Sequence, residues 1–304
     1  MLLTKSLLYA SSWPLLFVPS AILWGAHAGF FWWGYHGYFI KEGDRRHFVR
    51  SIGEAGLLQT AASVFSPLLG ALIASLFGFS ILFLLAGVFM LFTLLILGRD
   101  HDRRQRRDIK FQEVFDLVKT HPSISLAYIG SSAEGILYSV AWPLFLFLFF
   151  GQVMSLGIIV SSASLIAALF ALIVGSWVDK QGERRVVSSG VPLVFASWIL
   201  RLLGRSLGFF IAADSLWNFG QRMIGLPLNA LTYKKAIEGK STGRAILFRE
   251  TTLTIGSVFS LLLLLLWVSL GGCLSGAFVL AALFSLFPLI AVIGKGLPLD
   301  NYEK

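Results

Sequence analysis

The chain has 304 residues, of which 56% are hydrophobic and only 13% charged, and its mean hydropathy is +0.78. A soluble domain carries about a quarter charged residues, so this composition excludes an ordinary soluble enzyme and indicates a polytopic membrane protein. The net charge of +9 does not indicate a nucleic-acid partner, because the basic residues lie in short loops between apolar runs. We therefore expect the lipid bilayer, and no nucleic acid, as a partner.

Nine apolar runs are long enough to cross a bilayer, which takes about 20 apolar residues in a helix. They predict an all-α, multi-pass protein of the cell (inner) membrane. The predicted spans are 14–39, 52–76, 79–98, 122–150, 154–178, 187–204, 207–233, 244–270 and 273–294.

The loops between these runs alternate between long, basic loops and very short, glycine-rich turns. The short turns are Phe77-Gly78-Phe79, Gly151-Gln152 and Gly271-Gly272. Of the 25 Lys and Arg residues, 21 lie in or beside the long loops and the C-terminal tail. Lys5, Arg201 and Arg205 lie on the other side, and Arg222 lies within a span. Cytoplasmic loops carry the excess of Lys and Arg. We therefore expect the C-terminus inside and, with nine spans, the N-terminus outside.

The longest loop, 99–121, divides the chain into two groups of spans. It contains a cluster of arginines, and apolar residues then recur at helical spacing from Ile109 to Val118. This pattern predicts an amphipathic helix on the cytoplasmic surface, and Pro122 favours the first turn of the next span. We expect an N-terminal unit at 1–98, a linker at 99–121, a six-helix bundle at 122–294 and a tail at 295–304.

The loop that follows the 154–178 span is a compact charged turn between two apolar runs. It resembles the G-x-x-x-D-[RK]-x-G-[RK]-[RK] loop of the major facilitator superfamily, with Glu183 standing where the family usually has a base. The matching residues are Gly175, Asp179, Lys180, Gly182, Arg184 and Arg185. Read without the resemblance, the same residues are a basic cytoplasmic turn.

The chain also resembles itself. Residues 50–66 align with 244–260 at an offset of 194, and seven of the 17 positions are identical, including a shared Ser-Val-Phe-Ser. The first and second spans would then repeat as the seventh and eighth. Two parallel repeats of this kind build the two halves of the major facilitator fold.

The resemblance implies a place for each span. Five spans precede the Asp179 loop, which would make it the copy after the family's eighth helix, so the chain would cover helices four to twelve. The stretch Ser66-Pro67-Leu68-Leu69-Gly70 resembles a relaxed form of the family's helix-five motif. In that family the solute cavity is lined chiefly by helices one, four, seven and ten. The last three correspond here to 14–39, 122–150 and 207–233.

Ionisable residues inside the bilayer are costly and are therefore candidate functional residues. Arg222 lies near the middle of the 207–233 span, and it shares a helical face with further polar residues, namely Asp214, Asn218 and Gln221. Glu134 lies at similar depth in the 122–150 span, and His27 lies in the middle of the first. For each of them a structural role in helix packing is the competing interpretation.

Two contacts can be predicted from depth and from the resemblance. Glu134 and Arg222 both lie about 16–18 Å from the cytoplasmic ends of their spans, so we expect them to pair, with Asp214 as the second choice for Arg222. The pseudo-symmetry of the family implies that Asp179 caps the N-terminal end of the 52–76 helix, close to Arg50.

These features favour a secondary active transporter that moves a small solute by alternating access, and the sequence leaves coupling to protons open. A non-transporting remnant or accessory membrane subunit is an alternative. A membrane-embedded enzyme is less favoured because no nucleophile or metal motif is recognisable, and we expect neither an enzymatic activity nor a cofactor. The substrate cannot be read from the sequence.

Overall fold

A computed structural model describes residues 48–97, 111–181, 183–238 and 242–293, together with eleven residues between 19 and 34. Regular structure in these residues is helical throughout, and the described residues between 19 and 34 are helical as well. The helices are α1 (Phe48–Leu97), α2 (Phe111–Thr120), α3 (Pro122–Phe150), α4 (Val153–Gln181), α5 (Glu183–Leu203), α6 (Leu207–Glu238), α7 (Thr242–Ser269), α8 (Gly276–Phe284) and α9 (Pro288–Ile293).

Glycines with positive φ lie at the three short turns predicted from the sequence. They are Gly78, Gly151 and Gly271, with φ of 81°, 66° and 79°. Such angles strain residues that carry a Cβ, so glycine is the residue that closes these turns without cost. The predicted short connections are therefore confirmed at the level of backbone geometry.

The break at Gly78 folds α1 into a hairpin. Twelve residues of straight helix would separate Gly70 from Leu82 by about 18 Å. The side chain of Leu82 instead lies 4.0 Å from the position that a Cβ on Gly70 would occupy. Residues 48–77 (α1a) and 79–97 (α1b) therefore lie side by side, which agrees with the two spans predicted at 52–76 and 79–98.

The linker also forms a short helix where the sequence predicts one. In α2, Val114 is fully buried while Phe115 is about half exposed, and the helix packs against α7. Pro122 follows at the first turn of α3, where its missing N–H has no intrahelical acceptor to lose.

The predicted span at 273–294 is not one helix. It divides into α8 and α9, and the chain tightens between them. The N–H groups of Leu286 and Phe287 bond three residues back, to Leu283 O at 3.2 Å and to Phe284 O at 3.1 Å. Pro288 explains the break, because proline lacks the N–H that continues a helix and its ring clashes with the preceding turn.

The main core surrounds α3, which packs against α7, α8 and α9. In two pairs of helices in the bundle, the backbones approach each other closely at glycine residues. The Cβ that Gly190 of α5 lacks would lie 3.0 Å from the carbonyl oxygen of Gly220 in α6, and the reverse distance is the same. On α7, a Cβ at Gly256 would lie 2.9 Å from the backbone Cα and C of Ile129 in α3.

Five helical segments are long enough and apolar enough to cross a membrane, by length and composition. They are Leu58–Thr93, Pro122–Phe150, Arg184–Leu203, Gly243–Ser269 and Gly276–Ile293. The described apolar part of α4, Val153–Leu169, is shorter, and α6 carries charged and amide side chains across its middle. The protein is therefore an all-α protein, in the part that the structure describes, with the helices of an integral membrane protein.

Candidate functional site

The carboxylate of Glu134 lies fully buried in the middle of α3, where three neutral N–H donors surround it. The indole N–H groups of Trp198 and Trp217 both donate to Oε1, each at 2.6 Å. The amide of Gln221 donates to Oε2 at 2.5 Å. Burying a carboxylate is tolerated when its oxygens accept hydrogen bonds, and here both of them do.

Arg201 and Asp214 form a second buried element beside Glu134. Nη2 of Arg201 donates to Oδ1 of Asp214 at 2.7 Å, and both side chains are fully buried. The hydroxyl of Tyr138 donates to the other carboxylate oxygen at 3.3 Å. Breaking a buried pair of this kind leaves an unpaired charge in an apolar interior, so the pair fixes the relative position of α5 and α6.

Aromatic rings surround the guanidinium of Arg201. Its Cζ lies 4.3 Å from the ring centroid of Trp198, 4.5 Å from that of Trp142 and 5.3 Å from that of Tyr138. Rings at these distances attract a cation through their quadrupoles, more strongly where water is excluded. The Nε and Nη1 groups of Arg201 have no hydrogen-bond partner in the described part of the chain, so this attraction partly replaces hydrogen bonding.

We call these residues the Glu134 cluster. Its members come from α3, α5 and α6, and Tyr138 and Trp217 tie α3 to α6 by stacking with their ring centroids 3.4 Å apart. The cluster consists of Glu134, Tyr138, Trp198, Arg201, Asp214, Trp217 and Gln221.

Helical spacing brings these side chains to one place. Trp198 and Arg201 lie three residues apart on α5, and Trp217 and Gln221 lie four apart on α6, so each pair occupies one face of its helix. The close approach of α5 and α6 at Gly190 and Gly220 holds these two faces against α3.

Arg222 occupies a different site, which faces α1. It is half-buried, and its Nη2 lies 3.5 Å from Oγ1 of Thr60 in α1a. Nearby along α1a, the N–H of Leu68 donates to the hydroxyl of Ser161 in α4 at 3.0 Å. A Cβ on Gly157 of α4 would lie 2.9 Å from the carbonyl oxygen of Pro67.

We call this contact of α1a with α4 and α6 the α1 seam. It consists of Thr60, Pro67, Leu68, Gly157, Ser161 and Arg222.

The predicted pair of Glu134 and Arg222 is not formed between these two described side chains. Their depths match, but successive residues of a helix point about 100° apart, so Gln221 faces Glu134 while its neighbour Arg222 faces α1. Asp214, the second choice for Arg222, pairs instead with Arg201.

Two other predicted site residues make contacts within their own helical segments. The amide of Asn218 donates to the backbone carbonyl of Asp214, one turn earlier in α6, at 2.9 Å. The ring of His27 lies 5.9 Å from that of Phe31 on the same helical segment.

Part of the Asp179 loop lies outside the described residues, namely Gly182 and the side chains of Asp179 and Lys180. The predicted cap near Arg50 therefore lies outside them too. The described backbone from Gly175 to Gln181 is helical and ends α4, and α5 begins at Glu183. Arg184 and Arg185 begin α5, where Arg184 is half-buried and Arg185 is exposed.

Arg201 and the two tryptophans are the site residues that sequence reasoning missed. Arg201 lies two residues before the end of α5 and close to Arg205, so the sequence assigns both to the outer surface. Arg205 is indeed exposed, and it donates to the Gly204 carbonyl at 2.8 Å. One signal in the sequence could have placed Arg201 inside the bundle. Trp198 lies three residues before it and therefore occupies the same face of the helix.

The described residues contain no group of three His, Cys, Asp or Glu side chains that could hold a metal ion. The donors around Glu134 are N–H groups, which suit an ionised carboxylate rather than a metal cation. Compared with protein-family models and with curated proteins, the chain matches none.

Proposed function

We propose that the protein is a secondary active transporter of a small solute, similar to the major facilitator superfamily, which works by alternating access. In this proposal the chain crosses the bilayer nine times, with the N-terminus outside and the C-terminus inside. Helices α3–α9 move as one body against α1, and the α1 seam opens and closes.

The observation that carries the proposal is the position of Arg222. An arginine in the middle of an apolar helix bundle is energetically costly, so its presence there indicates a function. Arg222 is partly exposed and, among the described side chains, makes one long contact across the α1 seam, whereas Arg201 is fully buried and paired. A charge held in this way is available to a solute, so we assign the solute site to the space beside Arg222 and Thr60.

Two further observations support the proposal. The contact of α1a with α4 involves the two spans that the family resemblance assigns to helices five and eight. Discontinuous helices are frequent in transporters, and the last described apolar run breaks before Pro288. A non-transporting membrane subunit would not need a half-exposed arginine between its two parts.

Accessibility labelling tests the motion without knowledge of the solute. In a Cys273→Ser background, Thr60→Cys is treated with a membrane-impermeant thiol reagent in intact cells and in inverted vesicles. Alternating access predicts labelling from both sides. Cysteines at Gln105 and Gln152 serve as fixed references that label from opposite sides, and labelling of both from the same side would refute the topology.

Transport itself is tested in proteoliposomes. Solutes that raise the melting temperature of the purified protein are assayed for counterflow, and Arg222→Gln is expected to abolish it while leaving the melting temperature nearly unchanged. Labelling of Thr60→Cys from one side only, together with undiminished counterflow in Arg222→Gln, would show that the α1 seam is not the transport path.

A further inference from the structure

The Glu134 cluster contains more negative than positive charge. Within the cluster, the carboxylates of Glu134 and Asp214 lie with a single guanidinium, that of Arg201, and this guanidinium bonds Asp214. Glu134 receives only neutral donors. An ionised Glu134 is therefore a buried charge without a cation bonded to it, which is an expensive arrangement inside an apolar bundle.

Among the described residues, the one cation close to Glu134 is Arg201, which is already bonded to Asp214. The apolar stretches 251–269 and 276–293, in α7 and in α8–α9, contain no Asp, Glu, Lys, Arg or His. On α5 and α6 the charged and titratable groups facing the cluster are Arg201 and Asp214, and α3 itself adds Tyr138. Arg222, the remaining charge in the middle of α6, contacts Thr60 of α1.

From these contacts we infer that Glu134 is a proton-binding site, with Gln221 as a partner that can serve both of its protonation states. The ionised carboxylate accepts the N–H of Gln221. When a proton binds to Oε2, the carboxyl group becomes a donor, and the Gln221 amide turns over so that its carbonyl oxygen accepts this hydrogen bond. Only the proton is taken up or released.

The geometry around Oε2 fits this double role. The Gln221 amide lies within hydrogen-bond distance of Oε2, at 2.5 Å, and an amide side chain carries both a donor and an acceptor. On Oε1, the indoles of Trp198 and Trp217 can only donate, and an oxygen atom of a protonated carboxyl group still accepts. Both states therefore keep the carboxyl group hydrogen-bonded.

A proton fits this site better than a metal cation. Hard cations such as Na⁺ and Ca²⁺ require several oxygen ligands, whereas the neighbours that bond Glu134 present two indole N–H groups and one amide. The inference concerns the cluster alone and holds whether or not the chain transports a solute.

Infrared difference spectroscopy of the purified protein in lipid nanodiscs tests the inference. Spectra are recorded while the pH is changed between about 4 and 10, a range that spans the ordinary titration of carboxyl groups. The wild type is expected to gain one buried carboxyl C=O stretching band on acidification, and Glu134→Gln is expected to lack it. Glu250→Gln, which removes the ion-paired carboxylate beside Arg249, is the matched control and should keep the band.

Three further variants keep the test decisive if Glu134→Gln fails to fold. Gln221→Met removes the acceptor and should move the band to higher frequency. Trp198→Phe and Trp217→Phe each remove a donor that favours the ionised form, so each should move the midpoint of the band to higher pH, by about one unit or more.

A wild type with no pH-dependent carboxyl band in this range would overturn the inference. So would a band that persists unchanged in folded Glu134→Gln. Midpoints that stay at the wild-type value in both tryptophan variants would assign the proton to another carboxyl group. Because no solute is added, none of these outcomes depends on the transport proposal.

Discussion

The Glu134 cluster and the α1 seam are two ways of placing an arginine inside an apolar helix bundle. Arg201 is fully buried, bonded to Asp214 and enclosed by aromatic rings. Arg222 is partly exposed, and its one contact among the described side chains is with Thr60 at 3.5 Å. The first arrangement holds helices together, while the second leaves a charge available. Burial and bonding therefore distinguish a structural arginine from the one that we propose binds the solute, although both lie in apolar runs of the sequence.

The largest effect is expected from removing each arginine in turn. Arg201→Met leaves Asp214 as an unpaired buried anion and should cost about 3–5 kcal/mol of stability. Arg222→Met should change stability by less than about 1 kcal/mol, because it removes one long, half-exposed contact. Thermal unfolding of the purified variants in detergent measures both.

Two controls accompany this pair. Arg205→Met removes an exposed arginine of the same α5–α6 connection and should cost about 0.5 kcal/mol or less. Combining Arg201→Met with Asp214→Leu should recover most of the lost stability, since no charge is then left unpaired. Equal losses in Arg201→Met and Arg222→Met would remove the distinction between the two regions.

Glycine substitutions compare the rigidity of the helix bundle that contains the Glu134 cluster with the rigidity of the α1 seam. Gly256→Ala places a methyl group against the backbone of Ile129 inside the bundle, and it should cost about 2–3 kcal/mol. Gly157→Ala meets Pro67 and Ala71 in the α1 seam, and a cost of about 1 kcal/mol is expected because α1a can shift as a unit. The melting temperatures of the two variants show which substitution costs more stability.

Gly135→Ala is the matched control, because nothing lies within 4 Å of its added Cβ. It should be neutral or stabilise the helix by up to about 1 kcal/mol. A Gly157→Ala variant that loses as much stability as Gly256→Ala would show that the α1 seam is as rigid as the bundle.

Hydroxyl deletions should give the smallest effects. Tyr138→Phe keeps the stack on Trp217 and removes one hydrogen bond to Asp214, at a cost of about 1 kcal/mol. In the α1 seam, Ser161→Ala removes the acceptor of the Leu68 N–H, and a cost of about 0.5 kcal/mol is expected since α1a can adjust. Chemical denaturation at fixed detergent concentration measures both, and a larger loss in Ser161→Ala would reverse the expected order.

The sequence predicts the helices well because their signals are local. Glycine turns, apolar run lengths and Pro122 each act within a few residues, and the described helix boundaries follow them closely. The break before Pro288 had a local signal too, the proline itself, but an uninterrupted apolar run concealed it. The family, the nine-span topology and the transport function remain predictions.

The site was only partly predictable because its contacts depend on helix rotation. Depth along a helix follows from residue counting, which is why Glu134 and Arg222 could be matched in height. Which of two neighbouring residues, Gln221 or Arg222, faces Glu134 depends on a rotation of about 100° that packing of α5 and α6 decides. Arg201 was missed for a related reason, since a residue near a helix end can lie inside or outside the bundle.

The ion pair of Arg201 and Asp214 also bears on how the chain enters the membrane. Its partners lie 13 residues apart, on the two arms of one helical hairpin made by α5 and α6. An unpaired charge adds up to about 2.5–3.5 kcal/mol to the cost of insertion, the value that applies at mid-membrane depth. Because both arms leave the ribosome in succession, the two charges can neutralise each other before α7 is synthesised. The hairpin can thus be inserted as a single, nearly neutral unit during biogenesis.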